Sequence, residues 1–186
     1  MSIKEVIEKY IELSMQKESI ERIIGNSRVS IEELKIKADG AFYSKDHEAE
    51  KKYDNSIDYY RSVIVKNIDK LSKVSSDLRQ MDQRYNNMAS NMDGSALIEV
   101  ATSIRDKETA NKILIGQLEE KREYVLAEGN KAYENGDLNK ENGFDKIHKE
   151  CVAEIDKLTA QNRYYESFVI DLSYRSGKYM GSGLSK

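Results

Sequence analysis

Apolar side chains recur along this chain in steps of three and four residues, the spacing that places them on one face of an α-helix. The longest run comprises Ile57, Tyr60, Ile64, Ile68, Leu71, Val74, Leu78, Met81, Tyr85 and Met88. Similar runs occupy residues 3–24, 97–125 and 147–172. No segment alternates between apolar and polar residues over the length that a β-strand needs. The pattern therefore predicts an all-α protein.

Breaks in the pattern predict four long antiparallel helices, at about 2–45, 47–89, 95–134 and 138–175. The sequence contains no proline, which suits helices of this length because proline removes a backbone donor and clashes inside a helix. Polar segments separate the helices, and the clearest linker is Asn86–Ser95. We therefore expect one helical hairpin over 1–89, a second over 95–175, and a flexible tail over 176–186.

The two predicted hairpins share short motifs. Ile24-Gly25 recurs as Ile115-Gly116, and segment 68–72 resembles segment 155–159, with offsets between 87 and 91 residues. Two interpretations stay open: an internal duplication, or a chance likeness between helices rich in Lys, Glu and Ile. The hairpins could pack together as a four-helix bundle, or form an elongated coiled coil with an open apolar groove.

Charge and composition exclude several classes of protein. The net charge of −3 gives no electrostatic attraction for nucleic acid. No apolar run approaches the ~18 residues of a membrane span, so we expect no stable membrane insertion. The first residues lack the apolar core of a Sec-type signal, so we expect a cytoplasmic location, with export by another route left open. A single cysteine excludes a disulfide framework.

Residues that could carry catalysis or bind a metal are few. Asp145 and His148 have the spacing of half a di-iron site in a helical bundle, but the second half is missing, since Ser44 stands three residues before His47. His148 and Cys151 lie one helical turn apart, yet Cys151 falls on the apolar face, which favours a buried thiol. Motifs for phosphate loops and for catalytic nucleophiles are absent. We therefore expect no enzyme activity, no cofactor and no metal.

Tyrosines are the most unusual feature of the composition, with 12 in the chain and two adjacent pairs. An aromatic ring with a polar tip suits a half-exposed interface between helices, and it is equally tolerated in the partly exposed core of a thin bundle. Polar residues also interrupt two of the apolar faces, where such residues set the register or the choice of partner. The candidate partner-binding residues are Tyr59, Tyr60, Tyr164, Tyr165, Glu108, Asn111 and Asn162.

Near its bend, each predicted hairpin has a glycine in a similar setting, in Ala38-Asp39-Gly40 and in Ala127-Glu128-Gly129. The spacing Tyr-x-x-x-Asp/Glu occurs at 124–128 and at 133–137. In shape, the chain resembles the Trp-x-Gly hairpin proteins of type VII secretion systems and their helical partners. That family has Trp-x-Gly at the bend and the Tyr-x-x-x-Asp/Glu export signal after the second helix, whereas here the tryptophan is absent and both spacings fall near a bend. The resemblance implies a helical partner or targeting chaperone rather than an exported effector.

The sequence favours a non-enzymatic interaction protein that binds another helical protein, or its own copy, through long amphipathic helix faces. Such a protein would be an adaptor, a chaperone or a partner subunit. A self-assembling scaffold is the first alternative. A membrane-active helical protein is the second, and the shortness of the uninterrupted apolar stretches, such as Val63-Ile64-Val65, places it last.

Overall fold

The computed structural model describes residues 1–177, and within them it contains four long α-helices and no strand. The helices are α1 (Ile3–Tyr43), α2 (His47–Ser90), α3 (Gly94–Glu134) and α4 (Leu138–Arg175). These bounds confirm the all-α class and match the four predicted helices to within two residues. α1 pairs with α2 and α3 pairs with α4, as two hairpins. Apart from its first two residues, the predicted tail lies outside the described residues.

The chain forms two compact units, and their boundaries do not coincide with the boundary between the two hairpins. One unit is Glu8–Arg84, and the other joins Met1–Ile7 to the chain from Tyr85 onward. The segment predicted as a linker is mostly helical, because α2 continues to Ser90 and α3 begins at Gly94. Burial explains the difference: Tyr85 and Ala89 are buried side chains on the last turns of α2, although Asn86 and Asn87 between them are polar.

The helices of the two hairpins begin at equivalent positions, 91 residues apart. α1 and α3 both contain 41 residues, and α2 and α4 begin at His47 and Leu138. Ile24-Gly25 and Ile115-Gly116 are separated by the same 91 residues, so the two pairs occupy equivalent positions in α1 and α3. The match between segments 68–72 and 155–159 uses an offset of 87 and falls about one helical turn out of register. The local architecture is that of a repeated hairpin.

The N-termini of α1 and α3 are also capped at equivalent positions. Ser2 Oγ accepts a hydrogen bond from the Glu5 N–H at 3.3 Å, and Asp93 Oδ1 accepts one from the Ala96 N–H at 2.8 Å. Glu5 returns the first contact by accepting from the Ser2 N–H, which lowers the pKa of its carboxyl group. Both caps satisfy backbone donors that lack a partner within the helix.

The first bend is a tight turn in which the C-terminal end of one helix meets the cap of the next. The Asp46 N–H donates to the Ala41 carbonyl at 2.9 Å, and the Lys45 N–H donates to the Phe42 carbonyl at 3.0 Å. This is the hydrogen-bond pattern of a Schellman motif. Lys45 has a φ of 61°, in the left-handed region that favours glycine. The Asp46 carboxylate then accepts from the N–H of the first turn of α2.

The second bend repeats this geometry 91 residues later. The Asp137 N–H donates to the Ala132 carbonyl at 2.9 Å, and the Gly136 N–H donates to the Tyr133 carbonyl at 2.9 Å. Here the left-handed position, with a φ of 70°, is a glycine. Asp137 Oδ1 caps α4 by accepting from the Lys140 N–H, and the contact with Lys140 lowers the pKa of Asp137.

The two equivalent bends make a reciprocal prediction about stability. Lys45→Gly is expected to raise the free energy of unfolding by about 0.5–1 kcal/mol, because glycine adopts the left-handed conformation without steric cost. Gly136→Ala is expected to lower it by a similar amount for the opposite reason. Gly116→Ala is the control, since open space surrounds this glycine inside α3 and alanine is the better helix former. Urea denaturation followed by circular dichroism measures all three, and a loss of stability in Lys45→Gly would contradict this description of the bend.

Each hairpin is held together by a seam, by which we mean the side chains that recur in alternating steps of three and four residues between its two helices. The seam of α2 corrects one prediction: Ile68 is exposed, and Asn67 is buried in its place. Asn67 continues the alternation between Ile64 and Leu71, so the helical geometry selects it in spite of its polarity. Its Nδ2 donates to the Val63 carbonyl at 2.8 Å, which satisfies the buried amide within its own helix.

A polar network joins the last turns of α2 and α4 in the unit that contains both. The buried Tyr85 hydroxyl donates to Asp171 Oδ2 at 2.5 Å, and its ring meets Phe168 edge to face at 4.9 Å. Arg175 donates to the same Asp171 oxygen at 2.7 Å and to Asn86 Oδ1 at 2.7 Å. One carboxylate thus satisfies two donors, and the network fixes the end of α2 against α4.

Candidate partner-binding surfaces

Two of the three predicted polar residues of the second hairpin, Asn111 and Asn162, meet each other across its seam. Asn111 Nδ2 donates to Asn162 Oδ1 at 3.0 Å and to Gln161 Oε1 at 3.3 Å, which links α3 to α4. One turn earlier, Glu108 is largely buried and accepts from Lys112 Nζ at 2.5 Å. That hydrogen bond, followed by the charge of Glu108, raises the pKa of Lys112. The geometry of Glu108, Asn111 and Asn162 thus suits a role in setting the register of α3 against α4.

A double-mutant cycle tests the contact between Asn111 and Asn162. Asn162→Leu alone is expected to lower the free energy of unfolding by about 1 kcal/mol, because Asn111 loses a partner in a half-buried seam. Replacing both residues with leucine is expected to recover most of that loss, since neither amide of the pair then lacks the other and only the longer contact of Asn111 with Gln161 is given up. Urea denaturation of the four proteins should give a coupling energy of about 1 kcal/mol. A coupling energy near zero would show that the two amides do not interact in solution.

The tyrosine pair of α4 contributes to the hairpin rather than to an exposed face. Tyr164 and Tyr165 are both half-buried. Tyr165 lies in the seam, seven residues after Leu158, and burial raises the pKa of its hydroxyl. Of the two interpretations of the tyrosines, partner surface or partly exposed core, this pair has the geometry of core.

The tyrosine pair of α2 is more accessible. The rings of Tyr59 and Tyr60 meet edge to face with centroids 5.4 Å apart, and Tyr59 is exposed. Together with Lys51, Lys52 and Glu48 they line a shallow depression of about 500 Å³ on the first turns of α2. The depression thus combines an aromatic pair with two cations and one carboxylate.

An apolar surface that the sequence analysis missed lies on α1. Val29, Ile36 and Tyr43, here named the outer stripe, recur every seven residues and are all exposed. Val29 and Ile36 each precede a buried residue, Ile31 and Ala38, by two positions, which is about 200° around the helix axis. The outer stripe therefore lies on the opposite side of α1 from the seam. A search for a second heptad register on the same helix would have found it.

An open groove of about 270 Å³ lies beside the bend of the second hairpin, here named the bend groove. From α3 it is lined by Val125, Leu126, Gly129, Asn130 and Tyr133. From α4 it is lined by Glu141, Phe144, Asp145 and His148. A β-carbon on Gly129 would stand 3.4 Å from that of Phe144, which is ordinary van der Waals contact, so α3 and α4 lie close together here. The groove combines an apolar floor with acidic groups.

The first hairpin has a groove at the equivalent place, of about 330 Å³. Five of its lining residues stand 91 positions before residues of the bend groove: Lys35, Ala38, Asp39, Asp54 and Ile57. Its lining is mostly charged, and both of its cations form ion pairs, Lys35 with Glu32 and Arg61 with Asp58. The repeated hairpin thus carries the same groove twice with different chemistry.

Three of the residues considered for catalysis or metal binding are either buried or in contact with a neighbouring side chain of their own helix. Cys151 is a buried free thiol, as the apolar pattern predicted. Asp145 pairs with Lys149 at 2.5 Å, and His47 lies 3.3 Å from Glu50. Among the described residues, no group of three or more His, Cys, Asp or Glu side chains is arranged to hold a metal ion. Within the same residues, no helix combines the length and the apolarity that crossing a membrane requires.

The segments that carry the resemblance to type VII secretion proteins lie inside helices. Ala38-Asp39-Gly40 belongs to α1 and Ala127-Glu128-Gly129 to α3, and each precedes the turn of its hairpin. In the second Tyr-x-x-x-Asp/Glu segment, which runs from Tyr133 to Asp137, the aspartate is the N-cap of α4.

Comparison of the chain with protein families, with curated proteins and with solved structures finds no match.

Proposed function

We propose that this chain is a non-enzymatic interaction protein that binds another helical protein along the outer face of α1. The observation that carries the proposal is the outer stripe. Val29, Ile36 and Tyr43 are 59%, 73% and 82% exposed, and their seven-residue spacing is that of a coiled-coil seam without a partner helix. α1 is therefore apolar on two opposite sides, of which its own hairpin covers one.

The spacing favours a helix as the partner. Residues seven apart drift by only about 20° around a straight helix, so the three side chains form one nearly straight line. A second helix laid along that line would place its own apolar residues between them, as knobs enter holes. Burying one such side chain fully contributes about 1.5–3 kcal/mol, so the line as a whole is a substantial source of affinity.

Two kinds of partner would use the same stripe. In an adaptor, chaperone or partner subunit, the second helix belongs to a different protein, and the helical proteins of type VII secretion systems are one class to test. In a self-assembling scaffold, the second helix is that of another copy. Light scattering on the purified chain separates the two, because the adaptor stays small and the scaffold forms large assemblies unaided.

Photo-crosslinking tests the proposal in the cells that produce the protein. A photoreactive amino acid in place of Ile36 is expected to crosslink to one helical partner protein. The same amino acid in place of Ile170 is the control, because Ile170 is a similarly exposed isoleucine on α4 and is not part of the stripe. Mass spectrometry would identify the products. Identical products from both positions, or none from position 36, would contradict the proposal.

A further inference from the structure

The bend groove has the size of a receptor for one large side chain. Its volume of about 270 Å³ is below the roughly 300–1,000 Å³ of pockets that enclose small molecules. It is open to solvent and lies between two helices, with Val125 buried at its floor and Phe144 half-buried. Leu126 and Tyr133 are exposed at its margin. An aliphatic or aromatic side chain placed there would cover apolar surface that the hairpin leaves in water.

The two acidic side chains of the groove, Asp145 and Glu141, differ in whether they already have an ion-pair partner. The Asp145 carboxylate accepts from Lys149 at 2.5 Å. The Glu141 carboxylate has no ion-pair or hydrogen-bond partner among the described residues. Because it lines the groove on the α4 side, it is placed to receive a cation that enters together with an apolar group.

The equivalent groove of the first hairpin shows which features are particular to the second. Lys35 occupies the place of Leu126, so the first groove has a cation where the second has an apolar margin. Ala38 replaces Gly129, and Ile57 replaces His148. Of these two equivalent grooves, the bend groove alone therefore combines an apolar margin with an acidic group that lacks a partner.

We propose that the bend groove binds a segment of a partner protein in which an aliphatic or aromatic side chain lies next to a lysine or arginine. The apolar side chain occupies the space over Val125 and Phe144, and the cation pairs with Glu141. The proposal rests on the role of the chain as an interaction protein, but it uses the other hairpin and none of the residues of the outer stripe. The two can therefore fail separately.

Small probes that carry both chemical features test the groove without a known partner. Phenethylamine has an aromatic body and an ammonium group, 2-phenylethanol has the same body without charge, and 3-phenylpropanoate has an anion instead. Each is titrated into the full chain labelled with ¹⁵N, and amide shifts are followed by NMR. Shifts are expected at residues 125–133 and 141–148, and not at the equivalent residues of the first groove. The amine is expected to bind about three- to fivefold more tightly than the alcohol, the range of a partly exposed ion pair, and the anion more weakly than either.

Variants of the groove separate its two contributions. Glu141→Gln is expected to make the amine and the alcohol bind equally, while Glu50→Gln, at the equivalent position of the first hairpin, should leave the difference unchanged. Gly129→Leu is expected to fill the groove and remove binding of both. If that variant does not fold, Leu126→Ala provides the test, because truncating an exposed side chain should weaken binding of both probes and leave the fold intact.

Salt supplies a further criterion. At 1 M NaCl the Debye length is about 3 Å, so the advantage of the amine over the alcohol should disappear while binding of the alcohol persists. Equal binding of all three probes, equal shifts in both grooves, or an unchanged preference in Glu141→Gln would each overturn the proposal. None of these outcomes bears on the outer stripe, which the crosslinking at position 36 tests by itself.

Discussion

Leu172→Ala is expected to lower the free energy of unfolding by about 3 kcal/mol. Leu172 is 0% exposed and lies near the C-terminal end of α4, one position after the Asp171 that accepts from Tyr85 and Arg175. Removing a fully buried leucine side chain loses its transfer free energy and leaves a cavity, and together these cost about 2–5 kcal/mol in well-packed cores. Urea denaturation followed by circular dichroism measures the loss.

Leu138→Ala is the matched control for this substitution. Leu138 is exposed at the first position of α4, so the same change of side chain removes almost no buried contact. Its effect is expected to stay within about 0.5 kcal/mol. If the two variants lost equal stability, the packing described for the end of α4 would be wrong.

Ile36→Glu is expected to weaken binding to the helical partner by about 100-fold or more, while leaving the stability of the free protein almost unchanged. Ile36 is the central residue of the outer stripe and is exposed in the free chain, where glutamate is a good helix former. In the complex, the same carboxylate would be buried in an apolar interface without a partner, at a cost of several kcal/mol. Isothermal titration calorimetry with the purified partner that the photo-crosslinking experiment identifies measures the affinity.

Ile170→Glu is the control for Ile36→Glu, since it makes the same chemical change at a similarly exposed helical position outside the stripe. It is expected to bind the partner with the affinity of the unchanged protein. Equal losses of affinity in the two variants would indicate a general effect of charge rather than an interface along α1.

The helices could be predicted from the sequence because their seams repeat in steps of three and four over almost their whole length. Prediction was less accurate where composition and burial disagree. Asn86 and Asn87 suggested a linker, yet Tyr85 and Ala89 hold that turn of α2 in a core. Ile68 was placed in the seam because it is apolar, while the alternation of steps selects Asn67. In both places tertiary packing outweighs local preference.

The candidate surfaces were harder to predict than the helices. Asn111 and Asn162 were recognised as polar interruptions, but sequence alone gives no sign that they bond to each other across the seam. The outer stripe was missed because its residues are spaced seven apart, which is too sparse to stand out beside a complete seam on the same helix. The bend groove depends on the approach of α3 to α4 at Gly129, and only coordinates show that approach.

Affinity capture of the full chain from the cells that produce it, quantified by mass spectrometry, tests the central claim most directly. The unchanged protein and Ile170→Glu are predicted to retain one helical partner at constant stoichiometry, and Ile36→Glu is predicted to lose it. Recovery of the same partner in equal amount with all three proteins would contradict binding along α1. Recovery of the chain alone in large assemblies would contradict the adaptor and support the scaffold.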